Sequence, residues 1–132
     1  MINVLIQTET HYPINRKQLR EAITQVLQKK VKHQTEVSVA IIGDRRMRDL
    51  NRTYRTIDAT TDVLSFPLSD PSYTKGQGFA DAPDGILRLG DIIISYPQAV
   101  IQAGEENKLV DEVIMFLALH GLNHLLGIHH EE

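Results

Sequence analysis

Short apolar segments along the chain predict four β-strands. Residues 2–7 and 37–41 give the clearest pattern, because isoleucine or valine occupies every second position. The other two predicted strands are residues 62–66, which Pro67 is expected to stop, and residues 87–95. Together the four segments predict one small sheet.

Apolar residues at helical spacing predict three shorter helices between these strands. The first follows Asn15, a candidate N-cap, and the second follows Gly43 and runs to about Tyr54. The third takes Pro97 as its first residue and is expected to stop near Gly104. The residues expected to be buried are Leu19, Ile23, Val26 and Leu27 in the first helix and Met47, Leu50 and Tyr54 in the second.

The longest helical stretch runs from Glu105 to Leu126 and is apolar over a wide arc that includes Phe116. Such a helix is usually buried, so it is predicted to be the central helix of the core. The order of elements predicts a single domain of the α+β or mixed α/β class, with helices covering at least one face of the sheet. Residues 69–85 lack periodicity and predict a long loop.

The composition excludes several classes of protein. The 132 residues contain no cysteine, which excludes disulfide frameworks, iron–sulfur clusters and thiol catalysis. Hydrophobic residues make up 42% and charged residues 23%, as in globular domains. No apolar run approaches the roughly 18 residues of a transmembrane helix, and residues 1–9 lack a secretion signal. A cytoplasmic protein without a membrane partner is therefore expected.

The net charge of −3 conceals a separation of charge along the chain. Residues 1–55 hold 11 basic and 5 acidic residues, a net charge of +6, whereas residues 56–132 hold 3 basic and 12 acidic residues, a net charge of −9. The basic part ends in an arginine-rich segment containing Arg45, Arg46, Arg48, Arg52 and Arg55. This segment therefore predicts a local cationic surface on an acidic protein.

Histidines concentrate near the end of the sequence. His120 and His124 are one helical turn apart, so both side chains project from one face, at a spacing suited to chelating one metal ion. Gly127 can end the helix in a left-handed conformation, and the chain can then fold back and bring His129 or His130 to the same point. Three histidines leave a coordination position open, which is typical of catalytic metal sites.

The histidine spacing is close to that of metzincin proteases, H-E-x-x-H-x-x-G-x-x-H. In those enzymes the glutamate is the general base of peptide hydrolysis, and here that position is Gly121. A protease is therefore not expected.

Four segments of the chain resemble motifs of the YbeY family of bacterial endoribonucleases. Residues 120–130 (HGLNHLLGIHH) are similar to its hallmark H-G-x-L-H-L-x-G-Y-D-H, and residues 47–55 (MRDLNRTYR) to its M-R-x-L-N-x-x-Y-R. Residues 61–67 (TDVLSFP) match the pattern T-D-V-L-S-F-P, and residues 89–95 (LGDIIIS) match L-G-D-I-x-I-S. The motifs occur in the family's order.

The resemblance implies a compact α+β fold with a mixed four-stranded sheet and a buried central helix that carries the ligands. It implies that His120, His124 and His130 bind one divalent metal ion, zinc being expected, and that Arg55 is catalytic. The implied activity is cleavage of single-stranded RNA in the 3′ maturation of small-subunit ribosomal RNA and in ribosome quality control. Ribosomal RNA precursors and ribosomal or ribosome-assembly proteins are the implied partners.

Two departures from the family pattern concern the metal site. The family's Tyr-Asp pair is Ile128-His129 here, and the leucine before the second ligand is Asn123. His129 can take over proton transfer as a catalytic residue, compete with His130 for the metal, or do neither; the motif spacing favours His130 as the ligand. The sequence gives no indication of the oligomeric state.

Two other functions fit the same residues. One is a metal-dependent hydrolase with a substrate other than RNA. The other is a ribosome-associated binding module in which the metal only fixes the C-terminal segment. An open coordination position favours an enzyme, whereas a fourth protein ligand favours a structural metal.

For Asp91 the sequence allows either a hydrogen bond to a metal-binding histidine or one within the sheet.

Overall fold

The computed structural model describes residues 1–68 and 85–130, the last three of them by their backbone alone. The strands of this part are β1 (Ile2–Thr8), β2 (Gln34–Ile42), β3 (Val63–Pro67) and β4 (Ile86–Ser95). Its helices are α1 (Arg16–Lys30), α2 (Asp44–Arg55), α3 (Tyr96–Glu106) and α4 (Val110–His130). The α+β class is confirmed, and the loop predicted at residues 69–85 lies almost wholly outside the described residues.

The four strands of the described chain form one mixed sheet in the order β1-β2-β4-β3. The neighbours β1 and β2 are parallel, as are β2 and β4, whereas β3 is antiparallel to β4. This order makes β3 an edge strand. Pro67 lies within β3, opposite Gly90, so the expectation that it stops the strand before itself is wrong. An edge strand tolerates proline because only one of its sides is paired.

Apolar clusters cover both faces of this sheet. The larger cluster joins alternate residues of β1, β2 and β4 to α1, α3 and α4, with Ile23, Val39, Ile92 and Leu122 among its buried members. The smaller cluster lies on the opposite face and contains Ile42, Met47 and Leu64 from β2, α2 and β3. Burial of each such side chain contributes about 1.5–3 kcal/mol. These clusters fix α4 over β3 and β4 on one face and α2 on the other.

Gly121 sets how closely α4 approaches the sheet. A Cβ atom at this position would lie 2.9 Å from Cγ2 of Ile92 and 3.6 Å from Cγ2 of Val63. Only glycine therefore fits without a shift of the helix or of Ile92. The position that holds a glutamate in metzincins faces the sheet here.

The ends of α3 and α4 differ from the prediction. Helix α3 continues past Gly104 to Glu106, and Asn107 ends it in a left-handed conformation with φ of 56°. Helix α4 therefore begins at Val110 instead of Glu105. It also continues through Gly127, which has no positive φ, so the expected helix end at that glycine is wrong.

Two aromatic residues expected in the core are exposed. Tyr54 is 65% exposed and meets Phe66 edge-on, with ring centroids 5.3 Å apart. Phe116 is 66% exposed and lies on the outer side of α4. Their helical spacing is compatible with burial, but residues 1–68 and 85–130 provide no further layer over that side of α2 or α4.

No single helix in the described residues is long and apolar enough to cross a membrane. Helices α3 and α4 reach that length and composition only as a pair, and they are bent by 115° relative to one another.

Candidate functional site

The cleft at the middle of α4 contains both central histidines. His120 and His124 lie one turn apart on this helix, and both are exposed. They line a cleft of about 380 Å³ whose other lining residues are Arg55, Val63, Leu64, Ser65 and Gly121. The cleft therefore brings together residues from α2, β3 and α4, three of the segments that carry the sequence motifs.

Ser65 connects the edge strand to one of these histidines. Its Oγ lies 2.7 Å from Nδ1 of His124. Residues alternate between the two faces of a strand, and Val63 packs in the larger cluster beneath α4. Ser65 therefore points toward the same helix. The contact holds the imidazole of His124 and leaves its Nε2 available to a ligand.

Arg55 is the last residue of α2, at the point where Thr56 ends the helix with φ of 56°. A surface ion pair with Asp58 or Asp62 is the ordinary role for such an arginine, but both carboxylates are engaged elsewhere. Asp58 pairs with Arg48 and Arg52, and Asp62 accepts from the side-chain amide of Gln102 at 2.8 Å. Within the described residues Arg55 has no carboxylate partner, so its guanidinium is available to an anion in the cleft.

A second group of charges lies along the outer side of α2. Nε of Arg48 donates to Oδ1 of Asp58 at 2.8 Å and Nη2 to Oδ2 at 3.1 Å, a two-point ion pair. The hydrogen bond from Arg48 lowers the pKa of the Asp58 carboxyl, and the same bond raises the pKa of Arg48. Both side chains are more than half exposed, so the pair contributes little to stability. It does reduce the positive charge that α2 presents to solvent.

The predicted metal ligands His120, His124 and His130 stay a prediction. No three histidine, aspartate or glutamate side chains come close enough together to hold a metal ion among the residues described. His129 and His130 lie in the last helical turn of α4, and their side chains are outside the description. On a helix, residue 130 is roughly 9 Å along the axis from residue 124 and about 240° around it. The helical backbone therefore does not place His130 beside His124.

His120 and His124 fit a divalent metal as two nitrogen donors. They are adjacent on one helix face, exposed in a cleft, and one of them is held through its Nδ1. Metal-binding histidines commonly make such a contact with their second ring nitrogen. The side chains present therefore suit a divalent ion chemically, and the three-histidine ligand set stays a prediction.

Asp91 lies away from the histidines. It is on the opposite face of the sheet, where it accepts a hydrogen bond from Ser38 of β2 at 2.5 Å. Of the two roles that the sequence allowed, the structure supports the hydrogen bond within the sheet.

Phe116 is a feature of the site that sequence reasoning did not identify. Its ring stacks on that of His120, with centroids 6.3 Å apart and an interplanar angle of 17°. Residues four apart on a helix lie on the same face, so their spacing in the sequence already indicates that the two rings are neighbours. The Ser65 contact had no such signal, because its partners lie 59 positions apart in the sequence and share no periodicity.

Comparison with known proteins gives one consistent family. A family model described as "Endoribonuclease YbeY" matches residues 5–132. The curated "Endoribonuclease YbeY" of Moorella thermoacetica is 42% identical over 128 residues, which is 93% of this chain and 80% of the relative. One from a strain of Dehalococcoides mccartyi is 34% identical over 135 residues, covering 99% of this chain and 84% of the relative.

A solved structure shares the fold. The solution structure of TM1509 from Thermotoga maritima aligns with a TM-score of 0.62 and 23% identity, covering 97% of this chain and 75% of that one. The agreement concerns the arrangement of the helices and strands.

Proposed function

The chain belongs to the YbeY family of endoribonucleases, which are hydrolases that act on RNA in ribosomal RNA processing, and we propose that its cleft cleaves single-stranded ribosomal RNA precursors. The observation that carries this proposal is the position of Arg55 in one cleft with His120 and His124, without a carboxylate partner in the part of the chain that the structure describes. A cation-binding pair beside a free guanidinium suits a substrate whose reacting group is a phosphodiester.

In this proposal, His120, His124 and His130 hold one divalent metal ion. Zinc is the metal we propose, because neutral imidazole ligands suit it and three of them leave a position for water or substrate. When bound, the ion supplies a Lewis acid for a phosphoryl oxygen and lowers the pKa of bound water toward about 7.

The last turn of α4 has to change for His130 to serve as the third ligand. The helical backbone does not place it beside His124, so we propose that the chain leaves the helix after Gly127 when metal binds. Glycine at this position favours such a change, because it costs about 1 kcal/mol relative to alanine in a helix. A Cβ at Gly127 would meet no described atom within 4 Å, so packing against the described residues does not explain the glycine.

The protein's own side chains provide the rest of the chemistry. Arg55 offers a fixed, permanently charged fork to the phosphoryl oxygens, where negative charge develops as the attacking and leaving oxygens are both partly bonded. His129, where the family motif has aspartate, is proposed to move a proton between the attacking or leaving oxygen and solvent.

Binding of the RNA strand is proposed to involve the outer side of α2. Arg45, Arg48, Arg52 and Arg55 are spaced by three, four and three residues, so they form one stripe along the helix that ends at the cleft. Such a stripe contacts the phosphates and does not recognise the base sequence of the RNA. We also propose a cytoplasmic location and ribosome-assembly proteins as partners, because both follow from this substrate.

Metal analysis coupled to an RNA cleavage assay tests the proposed function. The purified full chain is assayed on single-stranded and duplex RNA with and without a chelator, and His120→Ala is the control for contaminating nucleases. We expect stoichiometric metal, cleavage of the single strand, and loss of both in the variant. Cleavage that persists in the variant, or a fourth protein ligand on the metal, would contradict the proposal and favour a structural metal.

A further inference from the structure

The contact between Ser65 and His124 constrains which ring nitrogen carries a proton. Ser65 Oγ and His124 Nδ1 are 2.7 Å apart, so a hydrogen lies between them. It belongs either to the serine hydroxyl or to the imidazole, and a neutral imidazole carries only one proton. The choice therefore also decides whether Nε2 of His124 has a free lone pair.

Metal binding selects one of these arrangements. If the serine donates to Nδ1, the proton of the imidazole lies on Nε2 and blocks that atom as a ligand. If Nδ1–H donates to the serine oxygen, Nε2 is free to bind a cation, as in other histidine sites oriented by a second hydrogen bond. Ser65 must then be the acceptor in this contact.

A serine that accepts from Nδ1 still has its own hydrogen to donate. Among the described residues the structure gives the Ser65 side chain no hydrogen-bond partner other than His124. Ser65 also lines the cleft that holds Arg55 and His120. The free O–H is therefore located where a substrate phosphate would lie.

We propose that the Ser65 hydroxyl has two simultaneous roles: it accepts the Nδ1 hydrogen of His124, and it donates its own hydrogen to a phosphate oxygen of the bound RNA. Ser65 thus couples the orientation of a metal ligand to recognition of the substrate. The second role rests on the proposed function, whereas the first does not require RNA.

The first role is tested by metal affinity without any substrate. Zinc binding is measured by competition with a chromogenic chelator for wild type, Ser65→Ala and Ser65→Thr. Ser38→Ala is the matched control, because this half-buried strand serine bonds to Asp91 on the other face of the sheet. We expect Ser65→Ala to lose roughly 10- to 100-fold in affinity, Ser65→Thr to recover most of it, and Ser38→Ala to match wild type.

A spectroscopic measurement accompanies the affinities. In the zinc-loaded protein, nitrogen-15 NMR is expected to show His124 bound through Nε2, with the proton on Nδ1. Coordination through Nδ1 would overturn the proposal. Equal zinc affinity in wild type and Ser65→Ala would overturn it too, and so would a loss that threonine does not restore.

The second role is tested with RNA in which sulfur replaces one non-bridging oxygen of the scissile phosphate, each isomer being assayed separately. Sulfur accepts hydrogen bonds poorly, so one isomer is expected to be cleaved with a lower kcat/KM than the unmodified RNA. This loss should be roughly tenfold larger for wild type and Ser65→Thr than for Ser65→Ala. An equal loss in all three proteins would overturn the donor role. If wild type cleaves no RNA, the proposed function fails, and the zinc measurements still decide the histidine contact.

Discussion

At the scale of single residues, whether an arginine is available to bind a phosphate depends on the side chains around it. Arg48 and Arg52 share Asp58, whereas Arg55, three residues further along the same helix, has no carboxylate among the described residues. An arginine already paired gives up part of that interaction when it binds a phosphate. Arg55 gives up nothing, so it is best suited to stabilise charge in the cleft.

Replacement of Arg55 is expected to affect the rate of cleavage and not the metal. Arg55→Ala should retain zinc and lower kcat/KM by roughly 10²- to 10³-fold, the usual effect of removing one charge-stabilising donor. Arg55→Lys should recover only part, because lysine lacks the planar fork. Arg45→Ala at the other end of the stripe is the matched control, with a small effect expected. Loss of zinc in Arg55→Ala would assign the residue to structure instead.

The histidine pair is expected to control metal and activity together. His124→Ala should lose both bound zinc and RNA cleavage, because two donors cannot retain the ion that three hold. His33→Ala, which changes an exposed histidine outside the cleft, should change neither. Metal content by mass spectrometry and the initial rate of cleavage check this. A metal-free His124→Ala protein with full activity would contradict the proposed site.

At the scale of elements, glycines inside helices have different environments and therefore different roles. Gly121 faces Ile92 of the sheet, whereas a Cβ at Gly104 or Gly127 would meet none of the described atoms within 4 Å. The first glycine determines the distance between α4 and the sheet. The other two glycines are not needed for packing in this conformation. Replacing each of the three glycines by alanine therefore separates the effect of close helix–sheet packing from the effect of helix propensity.

Gly121→Ala is expected to destabilise the fold by about 1–3 kcal/mol, because its methyl group would overlap Ile92. Gly104→Ala, at an exposed helical position, should stabilise the fold by up to about 1 kcal/mol. Urea unfolding followed by circular dichroism measures both changes. Equal stability of the two variants would mean that α4 moves away from the sheet without cost.

Gly127→Ala is expected to lower zinc affinity while stabilising the metal-free protein. Alanine favours the helix that the structure shows at this point, and the proposed third ligand requires that helix to end. An effect of about 1 kcal/mol corresponds to roughly a fivefold loss in affinity. Chelator competition measures the affinity, and Gly104→Ala is again the control. Unchanged affinity would mean that metal binds without unwinding the last turn.

At the scale of the whole molecule, an acidic protein presents a local basic surface. The sequence has a net charge of −3, yet four arginines follow one side of α2 to the histidine cleft. Asp49 and Asp58 partly neutralise this stripe. We therefore expect one part of the surface to attract RNA and the acidic remainder to repel it.

Asp58→Asn is expected to strengthen RNA binding several-fold and to steepen its dependence on salt, because Arg48 and Arg52 become free for phosphates. The lowered pKa of Asp58 means that the pair is intact above the ordinary aspartate pKa and is lost as the pH falls through the lowered value. At neutral pH the substitution should change affinity without a large change in stability, because both side chains of the pair are more than half exposed. Fluorescence anisotropy across salt concentrations checks this, and unchanged affinity would exclude the stripe from RNA binding.

The sequence by itself determined the elements, the single sheet and the adjacency of His120 and His124, because strand alternation and helical spacing are local properties of a chain. It placed the boundary between α3 and α4 a few residues too early. It did not determine the exposure of Tyr54 and Phe116, since that depends on which neighbouring layers exist. Tertiary structure alone placed Ser65 against His124 and left Arg55 without a carboxylate partner among the described residues. Those relations join residues far apart in sequence, and only packing of α2 and α4 on opposite faces of one sheet brings them together.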